Sequence, residues 1–553
     1  MPLIHDNRRI PLTSGKTLFD YADDVALRVP TSCGRNGECH ECIVEIRSGA
    51  HGLSQPTEPE RFLRGNYRLA CQAVVTDVTA QIEFAVLRRQ PRILSEGVHR
   101  DDIEPQPLVY RENDDVMFMG PDGPRCIDRY RGRLLGIAAD VGTTTVVMNL
   151  VDLETAKTIY TTSFENPQRF GGSDVMNRIS YDGGKYRGEL QSVMLSSVNF
   201  EIGEMVKSLK IRRRQIYELV VVGNATMREI FFGYDVQGIG QKPYKSPVEL
   251  EFLEGKRKTT ALNVRAGDLG VRINPDGNVY GGPLIGSHVG ADVAADLLAV
   301  SMEVQEEPVL LVDVGTNTEV VVGNRNRLLA ASCPAGPAFE GGEVTYGMPG
   351  YDGAVERFRF NGAGVPELQV IGNVEPTGIC GSGLIDLLAE LRRTGRMTEL
   401  GQLAPGTNEY VFSEQRQLTL SRADISALAQ AKAANYCGQS IVLRQYGLPL
   451  DKYESLYLAG GFANYVDASN ARDIGFIAGL PLERIVKVGN ASLEGATIML
   501  ISGPKRREME DFVTRIEHVE LETIPDFFEL FVEGCQFKPM AEPTTASSFG
   551  YGI

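Results

Sequence analysis

The spacing of apolar residues divides the chain into three regions. Up to residue 87 the apolar positions alternate over short stretches. CIVEIRSG (42–49) and VTAQIEFAVL (78–87) have the two-residue period of strands, and LFDYADDVAL (18–27) reads as a short helix. Residues 88–133 lose that regularity. Pro91, Pro105, Pro107, Pro121 and Pro124 interrupt a polar stretch, which predicts a linker with room for a small ordered piece or a reduced middle domain. From residue 134 apolar strands alternate with helical segments. In 190–209, Leu190, Val193, Met194, Val198, Ile202, Met205, Val206 and Leu209 keep the 3.6-residue period of a helix with one buried face.

The third region repeats itself. RLLGIAADVGTTTVVMNLVD (133–152) has a counterpart in EEPVLLVDVGTNTEVVVG (306–323), each a strand ending in Asp-Val-Gly-Thr, a tight turn and a second strand. A third strand follows each copy, KTIYTTSFE (157–165) and RLLAASC (327–333). Each half then has a strand that ends in glycine, ELVVVGNATM (218–227) and LYLAGGFAN (456–464). Two motifs duplicated in the same order predict two related halves, 134–302 and 303–538, facing each other, with the second enlarged by an insertion. The end, PMAEPTTASSFGYGI (539–553), reads as a disordered tail.

Composition narrows the function classes. At 553 residues the chain is long enough for two or three domains. Its 42% hydrophobic and 23% charged residues are ordinary for globular protein. A net charge of −16 argues against nucleic acid, whose phosphates need a basic face. No run of 18 apolar residues is present to span a membrane, and the start MPLIHDNRRIPLTSGKTLF lacks a signal-peptide core, so a cytoplasmic location is expected.

Four of nine cysteines crowd the first 71 residues as Cys33-x5-Cys39-x2-Cys42-x28-Cys71. Zinc sites favour two paired hooks, whereas this spacing has one C-x2-C and no second hook. Three thiolates on one loop and a remote fourth suit a [2Fe–2S] cluster, with the glycines of GRNGE letting backbone N–H groups turn toward it. Cys126, Cys333, Cys380, Cys437 and Cys535 stand singly and are expected to be mostly small buried hydrophobes.

A strand ending in Asp followed by Gly and hydroxyl residues is a phosphate-handling device. Glycine lets main-chain N–H groups converge on phosphate oxygens, and the carboxylate can hold Mg²⁺ through water. The duplicated set is Asp140, Gly142, Thr143 and Thr144 with Asp313, Gly315, Thr316 and Asn317. Gly460 and Gly461 form a strand–helix turn. GICGSGLIDLLAEL (378–391), with Gly381 and Gly383, opens a helix that either receives an anion or simply packs. Glu319 and Glu340 are candidate acid/base or Mg²⁺-linked groups, or solvated loop carboxylates. Ser382 and the single histidines have no assigned role, and His288 reads as structural.

Around the cysteines, PTSCGRNGECHECIVEI and YRLACQAVV (67–75) resemble the ferredoxin family, the five-residue gap being similar to its adrenodoxin-type branch. Residues 134–505 resemble the superfamily of actin, sugar kinases and chaperone ATPases. These resemblances imply an α+β, β-grasp ferredoxin domain (1–87) before an α/β, duplicated actin-like (RNase H-like) ATPase body. In that body the two loops would be the first and second phosphate motifs, and LAGGF the adenosine motif. With VVVGNATM, GPAFEGGE and GICGSGLID, the whole chain is similar to the reductive activators of corrinoid proteins. That implies ATP-dependent one-electron reduction of a methyltransferase corrinoid protein from Co(II) to Co(I), with a [2Fe–2S] cluster, ATP and Mg²⁺. It also implies an upstream electron donor, a flavoprotein or ferredoxin reductase, and leaves a homodimer open. Longer members of that family carry an extra small domain where this chain has 88–133. Three alternatives stand beside this reading: an activator of a radical dehydratase using Cys333 and Cys380, a small-molecule kinase with a redox domain, and a non-catalytic assembly module.

Overall fold

The computed structural model describes residues 2–5, 8–87, 103–461 and 463–542. The tail expected at 539–553 lies outside the described residues from 543 on.

The first sheet comprises β1 (Pro2–His5), β2 (Arg8–Pro11), β3 (Ile43–Ser48), β4 (Tyr67–Leu69) and β5 (Ile82–Val86) in the order β2-β1-β5-β3-β4. β1 and β5 run parallel, which gives the β-grasp arrangement, and the helix Leu18–Asp24 buries Leu18, Phe19, Tyr21 and Ala22. Thr17 starts this helix with a capping box, its hydroxyl accepting from Asp20 N while Asp20 accepts from Thr17 N. β5 is shorter than the alternation over 78–87 suggests. Asp77 accepts from Thr79 N in an Asx turn that delays β5, and the chain leaves β4 before Cys71.

Residues 103–133 contain a three-stranded antiparallel meander, β6 (Val109–Glu112), β7 (Asp115–Gly120) and β8 (Gly123–Arg129), rather than a plain linker. Val109, Val116, Phe118 and Ile127 are its buried residues; the prolines obscure this sparse alternation in the sequence. Gln106 N donates to Ile501 O and Gly503 N to Gln106 O, so the meander is strapped to the duplicated body.

That body holds two six-stranded sheets. The first contains β9 (Leu135–Val141), β10 (Thr145–Asp152), β11 (Lys157–Glu165), β12 (Ile216–Val222), β13 (Leu262–Arg265) and β14 (Asn278–Gly281), ordered β11-β10-β9-β12-β14-β13. In the second half come β15 (Val309–Val314), β16 (Thr318–Asn324) and β17 (Arg327–Cys333). The insertion follows, with β18 (Ala354–Phe360), β19 (Pro366–Val370), β20 (Gly378–Ile379), β21 (Glu409–Ser413) and β22 (Leu418–Ser421). β23 (Leu456–Ala459), β24 (Ile485–Gly489) and β25 (Glu517–His518) complete a sheet ordered β24-β23-β15-β16-β17-β25.

The duplication covers five strands of each sheet; the sixth differs, β13 lying beside β14 in the first and β25 beside β17 in the second. β9-β10-β11 and β15-β16-β17 are antiparallel meanders, and each first strand is flanked by a parallel pair, β12-β14 or β23-β24. It reaches single glycines. Gly223, after β12, sits at φ +149° with a Cβ position 2.5 Å from Val141 O. Gly460, after β23, sits at φ +113° with a Cβ position 2.2 Å from Val314 O. Each glycine lets its strand end press against the loop that follows the Asp of its half. Helices Ala291–Ala299 and Ala491–Ile501 cross between the halves, where a Cβ on Gly495 would lie 1.9 Å from Ala295 O. One hydrophobic core runs from the N-terminal sheet through the first half onto one face of the second-half sheet, and the second half has a further core on its other face. No described helix is long and apolar enough to cross a membrane.

Candidate functional site

The four N-terminal cysteines form two pairs. Cys42 Sγ lies 3.4 Å from Cys71 Sγ, and Cys33 is hydrogen-bonded by Cys39. Burial disfavours a charge on Cys33. The backbone N–H and thiol of Cys39, with the N–H groups of Asn36 and Gly37, outweigh it and bring the thiol down to about 6. The hydrogen bond from Cys42, helped by the Gln72 amide, brings Cys71 down to about 7. The same hydrogen bond and burial push Cys42 up. Among the described residues, no three His, Cys, Asp or Glu side chains close around a single ion. A [2Fe–2S] cluster takes two thiolates on each of two irons, which suits one pair within the loop, where N–H groups already face Cys33, and a second pair joining that loop to Cys71.

Of the other cysteines, Cys333, Cys380 and Cys437 are buried, Cys535 is half-buried and Cys126 is exposed. Cys333 packs inside the second half, with the Cβ position of Gly438 at 2.0 Å from its sulfur, while Cys380 lines the cleft.

A cleft with about 1240 Å³ of empty space, its open mouth included, separates the halves. It brings together Asp140, Gly142, Thr143, Thr144, Asp313, Gly315, Thr316, Asn317, Glu319, Glu340, Gly381, Gly460 and Gly461. Gly383 is not on its wall; a Cβ there would lie 2.3 Å from Val355 O, so this glycine serves helix–strand packing. Ser382 does reach the cleft, its hydroxyl donating to Glu356 O.

Carboxylates crowd the floor. Burial, with the charge of Asp313 adding, raises Asp140 to about 7, although Asn490 Nδ2 donates to it at 3.1 Å. Burial raises Asp313 to about 6 against a hydrogen bond from Asp296. Asp292 reaches about 8 through burial and Asp313. Glu319 lies opposite Asp313 on β16, 4% exposed and held by Ser332 Oγ; burial keeps it well above the carboxylate range. Glu340 is raised by burial and accepts from Thr144 and Thr316.

Sequence reasoning missed Asp292, Asn224, Asn490 and Arg178. A signal existed for the two asparagines, because VGNA occurs at 222–225 and again at 488–491. Each Asn caps a helix by accepting from Met227 N or Leu493 N, and turns its amide onto the cleft. Asn224 holds Thr143 Oγ1 at 2.9 Å, as Asn490 holds Asp140. Arg178 lies in a short amphipathic helix and Asp292 in an almost wholly buried one, and neither carries such a repeated mark.

Three family models match the chain: the 2Fe-2S iron-sulfur cluster binding domain at residues 4–76, the RACo middle region at 135–305, and the C-terminal ASKHA domain of RACo at 307–547. The corrinoid activation enzyme RamQ of Eubacterium limosum is 30% identical over 600 aligned positions, covering 97% of this chain and 98% of RamQ. A [Co(II) methylated amine-specific corrinoid protein] reductase of Methanosarcina barkeri is 23% identical over 72% of this chain and 76% of its own length. Among solved structures, a reductive activator for corrinoid, iron-sulfur protein superposes with a TM-score of 0.72 at 26% identity, covering 98% of both chains.

Proposed function

The chain belongs to the family of reductive activators of corrinoid proteins, and on that premise we propose that it uses ATP to return a corrinoid protein from Co(II) to Co(I). One electron leaves the ferredoxin domain and one arrives at the partner's cobalt, so the step balances without a further co-reactant. An upstream flavoprotein or ferredoxin reductase resupplies that electron. The observation that carries the reading is the meeting of two duplicated phosphate loops in one cleft, in the same chain as a four-thiol ferredoxin site.

Cys33, Cys39, Cys42 and Cys71 would hold the cluster, which supplies a one-electron carrier of low potential, about −400 mV for the plant type. Reduction of Co(II) to Co(I) demands a stronger donor, and each 59 mV of mismatch costs about tenfold in equilibrium constant. Nucleotide can offset this only by binding two conformations of the complex unequally. The duplicated halves and the tight Gly495–Ala295 helix crossing between them are suited to such opening and closing.

Mg²⁺ bound near Asp140 and Asp313 would supply the positive charge that lets these crowded carboxylates ionise together. The hydroxyls of Thr143, Thr144 and Thr316 are placed to donate to phosphate, Asn490 fixes Asp140, and Asn224 fixes Thr143. Glu340, between the loops, is the best-placed side chain to orient an attacking water. The test is ATP hydrolysis by the purified chain with and without a Co(II) corrinoid protein from its own cell extract. Stimulation by that protein supports the reading; equal rates with and without it oppose it.

A further inference from the structure

The first phosphate loop is held from behind by one stretch of chain. Gly142 O accepts from Asn166 Nδ2 at 2.7 Å, Thr143 O from Arg178 Nη2 at 2.6 Å, and Thr144 O from Asn166 N at 2.8 Å. The peptide unit is planar and trans, so carbonyls turned into the body leave the N–H groups of Thr143 and Thr144 pointing the other way, toward the cleft. Arg178 is fully buried and, among the described residues, has no carboxylate at ion-pair distance. Its guanidinium meets Gly172 O at 3.1 Å and Met227 Sδ at 3.0 Å, besides Thr143 O. A buried cation without a counter-ion is costly, and a polyphosphate on the far side of the Thr143 peptide is the anion best placed to compensate it.

The same stretch carries the ferredoxin domain. Tyr181, on the Arg178 helix (Val175–Asp182), donates its hydroxyl to Phe62 O at 2.6 Å. Phe170 meets Phe62 edge-on at 5.3 Å and Tyr181 at 5.5 Å. His40, between Cys39 and Cys42, stacks on Phe62 at 4.1 Å, and its Nδ1 lies 3.0 Å from Glu189 Oε2 of the ATPase body. Phosphate loop and cysteine loop are therefore joined through residues 166–181, beside the separate contacts of His40 with Glu189 and of Glu41 with Ser196.

From this continuity we infer that residues 166–181 transmit nucleotide occupancy to the ferredoxin domain, with Arg178 as the positioning residue. Polyphosphate on the first loop draws on Arg178 through Thr143, and the Arg178 helix carries the change to Tyr181 and Phe62. How firmly the ferredoxin domain is seated thus depends on what the cleft holds. The inference rests on the cleft binding nucleotide, as proposed above. Coupling of this kind is reciprocal: nucleotide changes the seating equilibrium by the same factor as seating changes nucleotide affinity.

The chain has no tryptophan, so Tyr186→Trp installs a single emitter at a ring that stacks on Tyr181 at 6.2 Å. In the full-length, cluster-loaded chain, quenching of that emitter reports the seating of the ferredoxin domain. A non-hydrolysable ATP analogue with Mg²⁺ is titrated in parallel by emission and by calorimetry. Emission is expected to change with the same midpoint as the heat. Adding Arg178→Lys should abolish the emission change at analogue saturation while the heat of binding persists. Tyr181→Phe, which removes the donor to Phe62 O, should shrink the emission change and shift the analogue Kd by several-fold. Heat with unaltered emission, or an Arg178→Lys chain that keeps the full response, would overturn the inference while leaving the nucleotide site standing. Absence of any heat in the parent chain would overturn the nucleotide-site reading and, with it, this one.

Discussion

Thr144 and Thr316 come from different halves of the ATPase body, and their hydroxyl oxygens lie 3.0 Å apart with Glu340 accepting from both. The two phosphate loops are thus tied through one carboxylate. On the proposed reading, a nucleotide entering between them takes over these hydroxyls and frees Glu340 to face its terminal phosphate.

Glu340→Gln should therefore lower kcat for ATP hydrolysis about 10²–10⁴-fold, the range for loss of a general base, with a smaller change in KM. Burial holds Glu340 above the ordinary carboxylate range of about 4.3, and a base acts only when deprotonated. In the unmodified chain kcat should fall on the acid side at a pH above that range. Rate profiles of both chains check this; an unchanged kcat in the variant would remove Glu340 from the chemistry.

The crowded aspartates make stability depend on pH in a definite direction. Asp140 and Asp313 are raised to about 7 and about 6 in the fold, against about 3.9 when unfolded. A raised acid stabilises the fold below its unfolded value and loses that contribution as pH rises through the folded one. Without Mg²⁺ and nucleotide, Tm should fall between about pH 4 and pH 7. Mg-ATP should reverse part of the loss. Asp140→Asn and Asp313→Asn should each flatten the profile and abolish Mg-ATP turnover, as followed by thermal melts and phosphate release.

Cys71→Ala should remove the cluster, seen as loss of its visible absorption and of two irons per chain, while calorimetric nucleotide binding persists. Cys71 is the remote partner of Cys42, so a single iron left on the Cys33–Cys39 pair is not expected to survive. Zinc in place of iron in anaerobically prepared chain would contradict the pairing.

Much of this was legible in the sequence because it repeats. The strands 157–165 and 327–333 were bounded to the residue, since Asp-Val-Gly-Thr fixed the register of each half. Cys33, Cys39, Cys42 and Cys71 were legible because spacing alone distinguishes paired thiols on one loop from hooks around one ion. The meander at 109–129 was not legible, because only four buried apolar residues hold it, among prolines and charges. Arg178 was not legible either. Its role comes from the backbone carbonyl it holds, and nothing in VMNRISYD marks that.

The two adjacent glycines of LAGGF should part company. A Cβ at Gly460 would lie 2.2 Å from Val314 O on a backbone at φ +113°, whereas a Cβ at Gly461 meets no atom within 4 Å. Gly460→Ala should cost more than about 2 kcal/mol in unfolding free energy and impair the second phosphate loop. Gly461→Ala should stay within about 0.5 kcal/mol. Denaturant melts of the two variants give the comparison directly.

The most direct test of the account is anaerobic formation of Co(I) in a partner corrinoid protein, followed by its visible absorption. With an electron donor, cluster-loaded chain and Mg-ATP, the Co(I) band should appear. It should be lost when ATP is withheld, when a non-hydrolysable analogue replaces ATP, or when the Cys71→Ala chain is used. Full Co(I) formation with ATP omitted would contradict the account, because the ATPase body would then have no part in the transfer.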